Sequence, residues 1–131
     1  FLLDVEFNTI QKDKKLASYL KKSKCKLLIS WHDFKKTPNE SQLKSRFNKM
    51  RKFSNVVKIV TVAKNVSDAS RLLSLYSIKS KSKTVAFCMG DQGKFSRILC
   101  LHLGSPFTYV SLGKAIAPGQ FSVDEIKSLE N

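Results

Sequence analysis

The sequence lacks any apolar run near the roughly 18 to 20 residues that a membrane-spanning helix needs. It has no CxxC pair, and its three cysteines (Cys25, Cys88 and Cys100) are odd in number. That argues against both a disulfide framework and a zinc site, and favours a reducing cytoplasm. No glycine-rich phosphate loop follows the first apolar segment, which argues against a dinucleotide-binding unit. There is no repeat and no linker rich in Pro, Gly or Ser, so residues 1–131 read as a single domain. The amino end has neither a basic region followed by an apolar stretch nor an initiator Met. It is therefore expected to be cut from a longer chain rather than to be a signal peptide.

Acidic residues are scarce, 10 against 24 Lys plus Arg, for a net charge of +14. Such an excess attracts anions, including phosphates, nucleic acids, carboxylate metabolites and anionic lipid. Its ordinary meaning is a lysine-rich solvated surface. Arginine, the better reader of phosphates and bases, is limited to Arg46, Arg51, Arg71 and Arg97. No nucleic-acid motif and no pattern of stacking aromatics accompanies the charge. Neither a specific nucleic acid nor a membrane is an expected partner.

What the sequence does contain is an alternation of strands and helices. LLDVEF from Leu2, CKLLIS from Cys25, VVKIVTV from Val56 and TVAFCM from Thr84 read as strands, with FTYVS from Phe107 as a fifth. The middle three are nearly continuous apolar runs, as in parallel strands covered on both faces. Cys25 and Cys88 fall in these runs and are expected in the core. Helical spacing lies between them. Thr37-Pro38-Asn39-Glu40 suggests a capping box with Pro at the first helical position, ahead of the stripe Leu43, Phe47, Met50. Ser67 is expected to cap a helix with Ala69, Leu72, Leu73 and Tyr76 on one face. Asp13 to Lys22 and Phe95 to Leu103 read as further helices. Ser122-Val123-Asp124-Glu125 opens the last, with the stripe Val123, Ile126, Leu129. The class is α/β with a parallel sheet, either doubly wound or part of a barrel. A complete (β/α)8 barrel needs about 250 residues, more than this chain has.

In both architectures the site lies at the carboxyl ends of the strands. His32 ends the second strand, where an imidazole is either a hydrogen-bonded structural group or a general base. Lys58 sits among aliphatic residues in the third, and an ammonium is costly to bury alone. One resolution is an ion pair with an inward carboxylate such as Glu6. The other is a neutral amine, which can attack a carbonyl to form an imine. After the fourth strand, Arg97 suits a substrate carboxylate if it is not merely a surface helix residue. Gln120 follows the turn Ala117-Pro118-Gly119.

The ordered set of Asp4-Val5-Glu6, Ser30-Trp31-His32-Asp33-Phe34-Lys35-Lys36-Thr37-Pro38, Val57-Lys58-Ile59, Ser67-Asp68, Met89-Gly90 with Gly93 and Ser96-Arg97, Gly104-Ser105 with Phe107-Thr108, and Ala117-Pro118-Gly119-Gln120 resembles type I 3-dehydroquinate dehydratase of the shikimate pathway. The resemblance implies a (β/α)8 barrel that dehydrates 3-dehydroquinate to 3-dehydroshikimate without metal or diffusible cofactor. It implies that Lys58 forms the imine and His32 moves the protons. Arg97 and Gln120, with Glu6, are implied to bind substrate, Gln120 from a mobile loop. Ile116 stands where many relatives carry a substrate-contacting Ser. The likeness starts at the family's fourth strand. The chain is therefore expected to hold about five of the eight βα units and to lack the first three, with the acidic and arginine groups they contribute to substrate binding and to orienting the His. An open edge and apolar face would then favour a homodimer or association with the missing portion. A Schiff-base aldolase, an inactive barrel piece serving as an interaction module, and a basic nucleic-acid module are the competing readings.

Overall fold

Consecutive apolar segments pair side by side in the computed structural model, which describes residues 2–130. Phe1 and Asn131, the ends of the expected domain, lie outside the described residues. The strands β1 (Leu2–Glu6), β2 (Lys26–His32), β3 (Val56–Val62) and β4 (Lys83–Met89) follow one another in chain order, and every pair is parallel. Right-handed crossovers between sequential neighbours put all connecting helices on one face. That is the barrel arrangement; a doubly wound sheet reverses its strand order.

The helices are α1 (Phe7–Lys12), α2 (Lys14–Lys22), α3 (Glu40–Met50), α4 (Val66–Leu73), α5 (Ser96–His102) and α6 (Val123–Glu130). Alternate strand residues point to opposite faces. Ile29, Trp31, Val57, Ile59, Ala86 and Cys88 meet Ile10, Leu20, Leu43, Phe47, Met50, Ala69 and Leu72 in one continuous core. On the other face, Asp4 and Glu6 share β1, Ser30 and His32 share β2, and Lys58 and Val60 share β3. Glu6, Ser30 and Lys58 lie in one row across three strands.

The fifth expected strand is a correction. Only Val110–Ser111 (β5) is extended, and it pairs with Phe121–Ser122 (β6) rather than with the main sheet. Pro106 has no N–H for a ladder, and Ser105 Oγ donates to the Phe107 carbonyl at 2.7 Å. The rings of Phe107 and Tyr109 pack at 5.7 Å, and Tyr109 lies 5.9 Å from Phe87. The segment therefore packs against β4 instead of extending the ladder. The main sheet has four strands among the described residues.

Local caps differ too. Asn39, not Thr37, caps α3: its side chain accepts from Gln42 N at 2.9 Å and Gln42 reaches back to Asn39 N. Thr37 is buried instead, paired with the Thr61 hydroxyl at 2.7 Å and donating to the Val62 carbonyl at 2.8 Å. Asn65, not Ser67, caps α4. Cys25 is exposed ahead of β2, while Cys88 is buried as expected. The stripe of α6 is only partly covered, Leu129 being 62% exposed. The capping box at Ser122 and Glu125 forms as expected.

Arg71 ties these loops together. It donates to the carbonyls of Pro38 (2.8 Å) and Thr37 (3.1 Å) and pairs with Asp68 at 2.6 Å. The Lys64 backbone N–H, then Arg71, hold the Asp68 carboxyl below its ordinary value. A lowered folded value stabilises the fold above the unfolded value of about 3.9, and that contribution disappears as pH falls through the folded value. Asp68→Asn should therefore lower Tm near neutral pH, with the gap from wild type closing in acid; a thermal-melt series against pH checks it.

Candidate active site

The segment after β2 is built to end the strand and turn. Asp33 N donates to the Val60 carbonyl at 2.9 Å, continuing the ladder by one residue. Its carboxylate then accepts from Lys35 N and Lys36 N at 2.9 and 3.0 Å, closing an Asx turn. This fixes His32 at the carboxyl end of the sheet. His32 Nδ1 lies 3.0 Å from Glu6 Oε2, and its ring stacks on Phe34 at 5.6 Å and 6°. A carboxylate only accepts, so Nδ1 donates to Glu6 in this pair and Nε2 is the ring nitrogen outside it.

Lys58 is buried at 7% exposure. Its Nζ donates to Asp4 Oδ2 at 2.6 Å and to Tyr109 Oη at 3.5 Å, and lies 4.9 Å from the Tyr109 ring centre. The ion-pair partner is thus Asp4 rather than Glu6. Glu6 is engaged by His32 on the adjacent strand and by the Ser30 hydroxyl at 3.5 Å. Asp4, two residues earlier on the same face, is free to meet the amine. Glu6 is also not among the groups lining the cavity described below. Within this chain, Glu6 is the carboxylate that contacts His32.

Arg97 opens α5, which Ser96 anchors to β4. Ser96 Oγ accepts from Cys88 N at 2.8 Å and donates to the Gly93 carbonyl at 2.5 Å. Arg97 is 2% exposed, and its guanidinium stands 4.5 Å from the Phe87 ring centre and donates to the Pro118 carbonyl at 3.3 Å. Its Nε has no partner, and no carboxylate pairs with it among the described residues. Burial lowers its pKa from the ordinary arginine value. A buried guanidinium without a counterion is a ready partner for an anion.

The Ala117–Gln120 turn is pinned beside it. Gly90 N donates to the Pro118 carbonyl at 3.1 Å. Gly90 and Gly119 have φ of 86° and 73°, and a Cβ on Gly119 would lie 2.5 Å from the Gly90 oxygen. Gly119→Ala should cost at least about 1–2 kcal/mol from the left-handed backbone alone and displace the turn from Arg97. Chemical denaturation measures the first effect and anion titration the second. Gln120 Oε1 accepts from Ile116 N and Ala117 N at 2.9 and 3.3 Å, so its carbonyl end folds back on its own turn. Ile116 itself is 89% exposed.

These groups surround an open cavity of about 240 Å³ lined by His32, Phe34, Lys58, Arg97, Tyr109 and Gln120 over Val60, Phe87 and Met89. An amine, an imidazole oriented by a carboxylate and a guanidinium with a vacant donor face one apolar space. That set can form an imine, move a proton and hold a carboxylate. Four of the five expected site residues meet there, and the fifth, Glu6, stands behind His32. Asp4 and Tyr109 were not expected. The i, i+2 spacing of Asp4 and Glu6 carries a signal for the first; nothing in the sequence marks the second. No three His, Cys, Asp or Glu side chains converge on a metal position among the described residues, and no described helix is long and apolar enough to cross a membrane.

The family model for type I 3-dehydroquinase matches residues 1–130. The 3-dehydroquinate dehydratase of Syntrophobacter fumaroxidans is 41% identical over 120 residues, 87% of this chain and 51% of that protein. That of Pyrobaculum aerophilum is 47% identical over 103 residues, 79% of this chain and 34% of that protein. Among solved structures, the 3-dehydroquinate dehydratase of Aquifex aeolicus superposes with a TM-score of 0.80 at 32% identity, covering 98% of this chain and 58% of that one. The type I enzyme of Clostridium difficile, solved with covalently modified comenic acid, gives 0.82 at 28% identity, covering 98% and 53%. The chain spans about half the length, or less, of the curated relatives named here.

Proposed function

The chain belongs to the type I 3-dehydroquinase family, and from that premise we propose that it carries the imine-forming site of a 3-dehydroquinate dehydratase, as the C-terminal portion of a (β/α)8 barrel. The observation that carries this reading is a buried lysine amine sharing an apolar cavity with a carboxylate-oriented imidazole and an unpaired guanidinium.

Arg97 takes the substrate carboxylate, with Gln120 contributing to the hydroxyl groups. Lys58 Nζ attacks the C3 ketone, and loss of water gives a protonated imine. The cationic C=N draws electron density from C2 and acidifies its hydrogen. His32 Nε2 removes that proton, and Glu6 stabilises the imidazolium formed. The imidazolium then protonates the C1 hydroxyl, which leaves as water. Hydrolysis of the imine releases 3-dehydroshikimate and restores Lys58. The imine is itself the electron sink, so the sequence of steps calls for no metal or diffusible cofactor. Incubation with 3-dehydroquinate in the presence of a chelator tests this, with rising ultraviolet absorbance from the conjugated enone as the expected result. A folded chain that produces no enone and exchanges no C2 hydrogen with solvent would overturn it.

Association accompanies this reading. Leu2 and Leu3 on the edge strand β1 are each 40% exposed, which supports pairing with a second copy or with further barrel strands. Sedimentation is expected to show species above the monomer mass; a cooperatively melting monomer counts against it. The three unpaired cysteines support a cytoplasmic location.

A further inference from the structure

A lysine ammonium must lose protons to react with a carbonyl, and the Asp4 carboxylate is the nearest polar group to Lys58 Nζ. The geometry points to Asp4 as the base that moves those protons, a catalytic residue separate from the His32 pair; this rests on the imine reading above. Asp4 Oδ2 is 2.6 Å from Nζ. Tyr109 Oη, the other polar neighbour, is at 3.5 Å. His32 is held by Glu6 through Nδ1, on the strand between β1 and β3. The two carboxylates of β1 thus divide the work. Glu6 serves the imidazole that acts on substrate carbon and oxygen, and Asp4 serves the amine nitrogen.

The step balances on these groups alone. Lys58 enters as R–NH3+ and Asp4 as a carboxylate. Asp4 takes one ammonium proton, the nitrogen lone pair attacks the carbonyl carbon, and the C=O π electrons move to oxygen. Asp4 returns its proton to that oxygen, giving the carbinolamine. It then takes a second proton from nitrogen and delivers it to the hydroxyl as the C–O bond breaks and the nitrogen lone pair forms C=N. Two protons have passed from nitrogen to the departing water, and one remains on the imine nitrogen. Asp4 ends ionised beside the iminium cation, which it stabilises in the electron-sink state. The side chain is 42% exposed, so water can rehydrate it between transfers.

The test is the rate of borohydride-trapped adduct on Lys58, read by peptide mapping, with 3-dehydroquinate and separately with glycolaldehyde. Asp4→Asn is expected to lower the maximal trapping rate about 100-fold with either carbonyl, while the half-saturating 3-dehydroquinate concentration, set by Arg97, stays unchanged. Asp4→Glu should recover most of the rate. Asp4→Ser stands in if the Asn variant does not fold. Wild-type rates in a folded variant without the carboxylate would overturn the role. Trapping of glycolaldehyde but not 3-dehydroquinate, still slowed by Asp4→Asn, would sustain Asp4 and reject the substrate. No adduct on Lys58 with either carbonyl would reject both.

Discussion

Lys58→Met is expected to leave the chain folded and to reduce dehydration of 3-dehydroquinate by on the order of 10⁴-fold or more, as loss of a covalent nucleophile does. The thioether side chain has nearly the length of the lysine stem and no charge. It fills the volume beside Val60 and Phe87 without a buried ammonium, so the stability change should stay within about 1.5 kcal/mol. Asp4 loses its partner but is 42% exposed and remains hydrated. Arg97 and His32 keep their own contacts, so anion binding persists. The loss therefore falls on the rate at saturation and on the trapped adduct, not on affinity. A variant that keeps substantial turnover would remove the imine from the account. Stopped-flow absorbance and a thermal melt on the same preparation separate loss of chemistry from loss of fold.

His32→Ala is expected to give a different pattern. The substitution removes the proton carrier for C2 and for the leaving hydroxyl, at about 10² to 10⁴-fold in turnover. Glu6 loses its partner at 3.0 Å but retains the Ser30 hydroxyl. Lys58, Asp4 and Tyr109 are untouched, so the imine still forms and accumulates. Borohydride should then trap at least as much adduct on Lys58 as in wild type, while enone production nearly stops. Loss of trapping together with turnover would mean that His32 also serves imine formation, and the division between Asp4 and Glu6 would fail.

The parallel strands were legible because a buried strand needs apolar residues on both faces, and Ile29, Val57, Ile59 and Cys88 satisfy the helix-facing side continuously. Lys58 stood out because it breaks that pattern. What local pattern could not reveal was pairing across the sheet. Register places Glu6 level with Lys58, yet His32 lies one strand closer and takes its carboxylate. The segment from Phe107 carries strand-like residues, but its aromatics are used against Phe87, a contact far away in the chain. Thr37 looks like a cap by spacing and is recruited instead by Thr61 and Val62, which no local motif announces. Asp4 carries no local signal beyond its spacing from Glu6, because its contact is with a lysine 54 residues away.

The central claim is that Lys58 is the nucleophile of an assembled imine site. Borohydride reduction in the presence of 3-dehydroquinate, followed by intact mass and peptide mapping, tests it most directly. One reduced adduct is expected, confined to the peptide containing Lys58 despite the many other lysines. A folded chain with no adduct, or with adducts scattered over surface lysines, would contradict it.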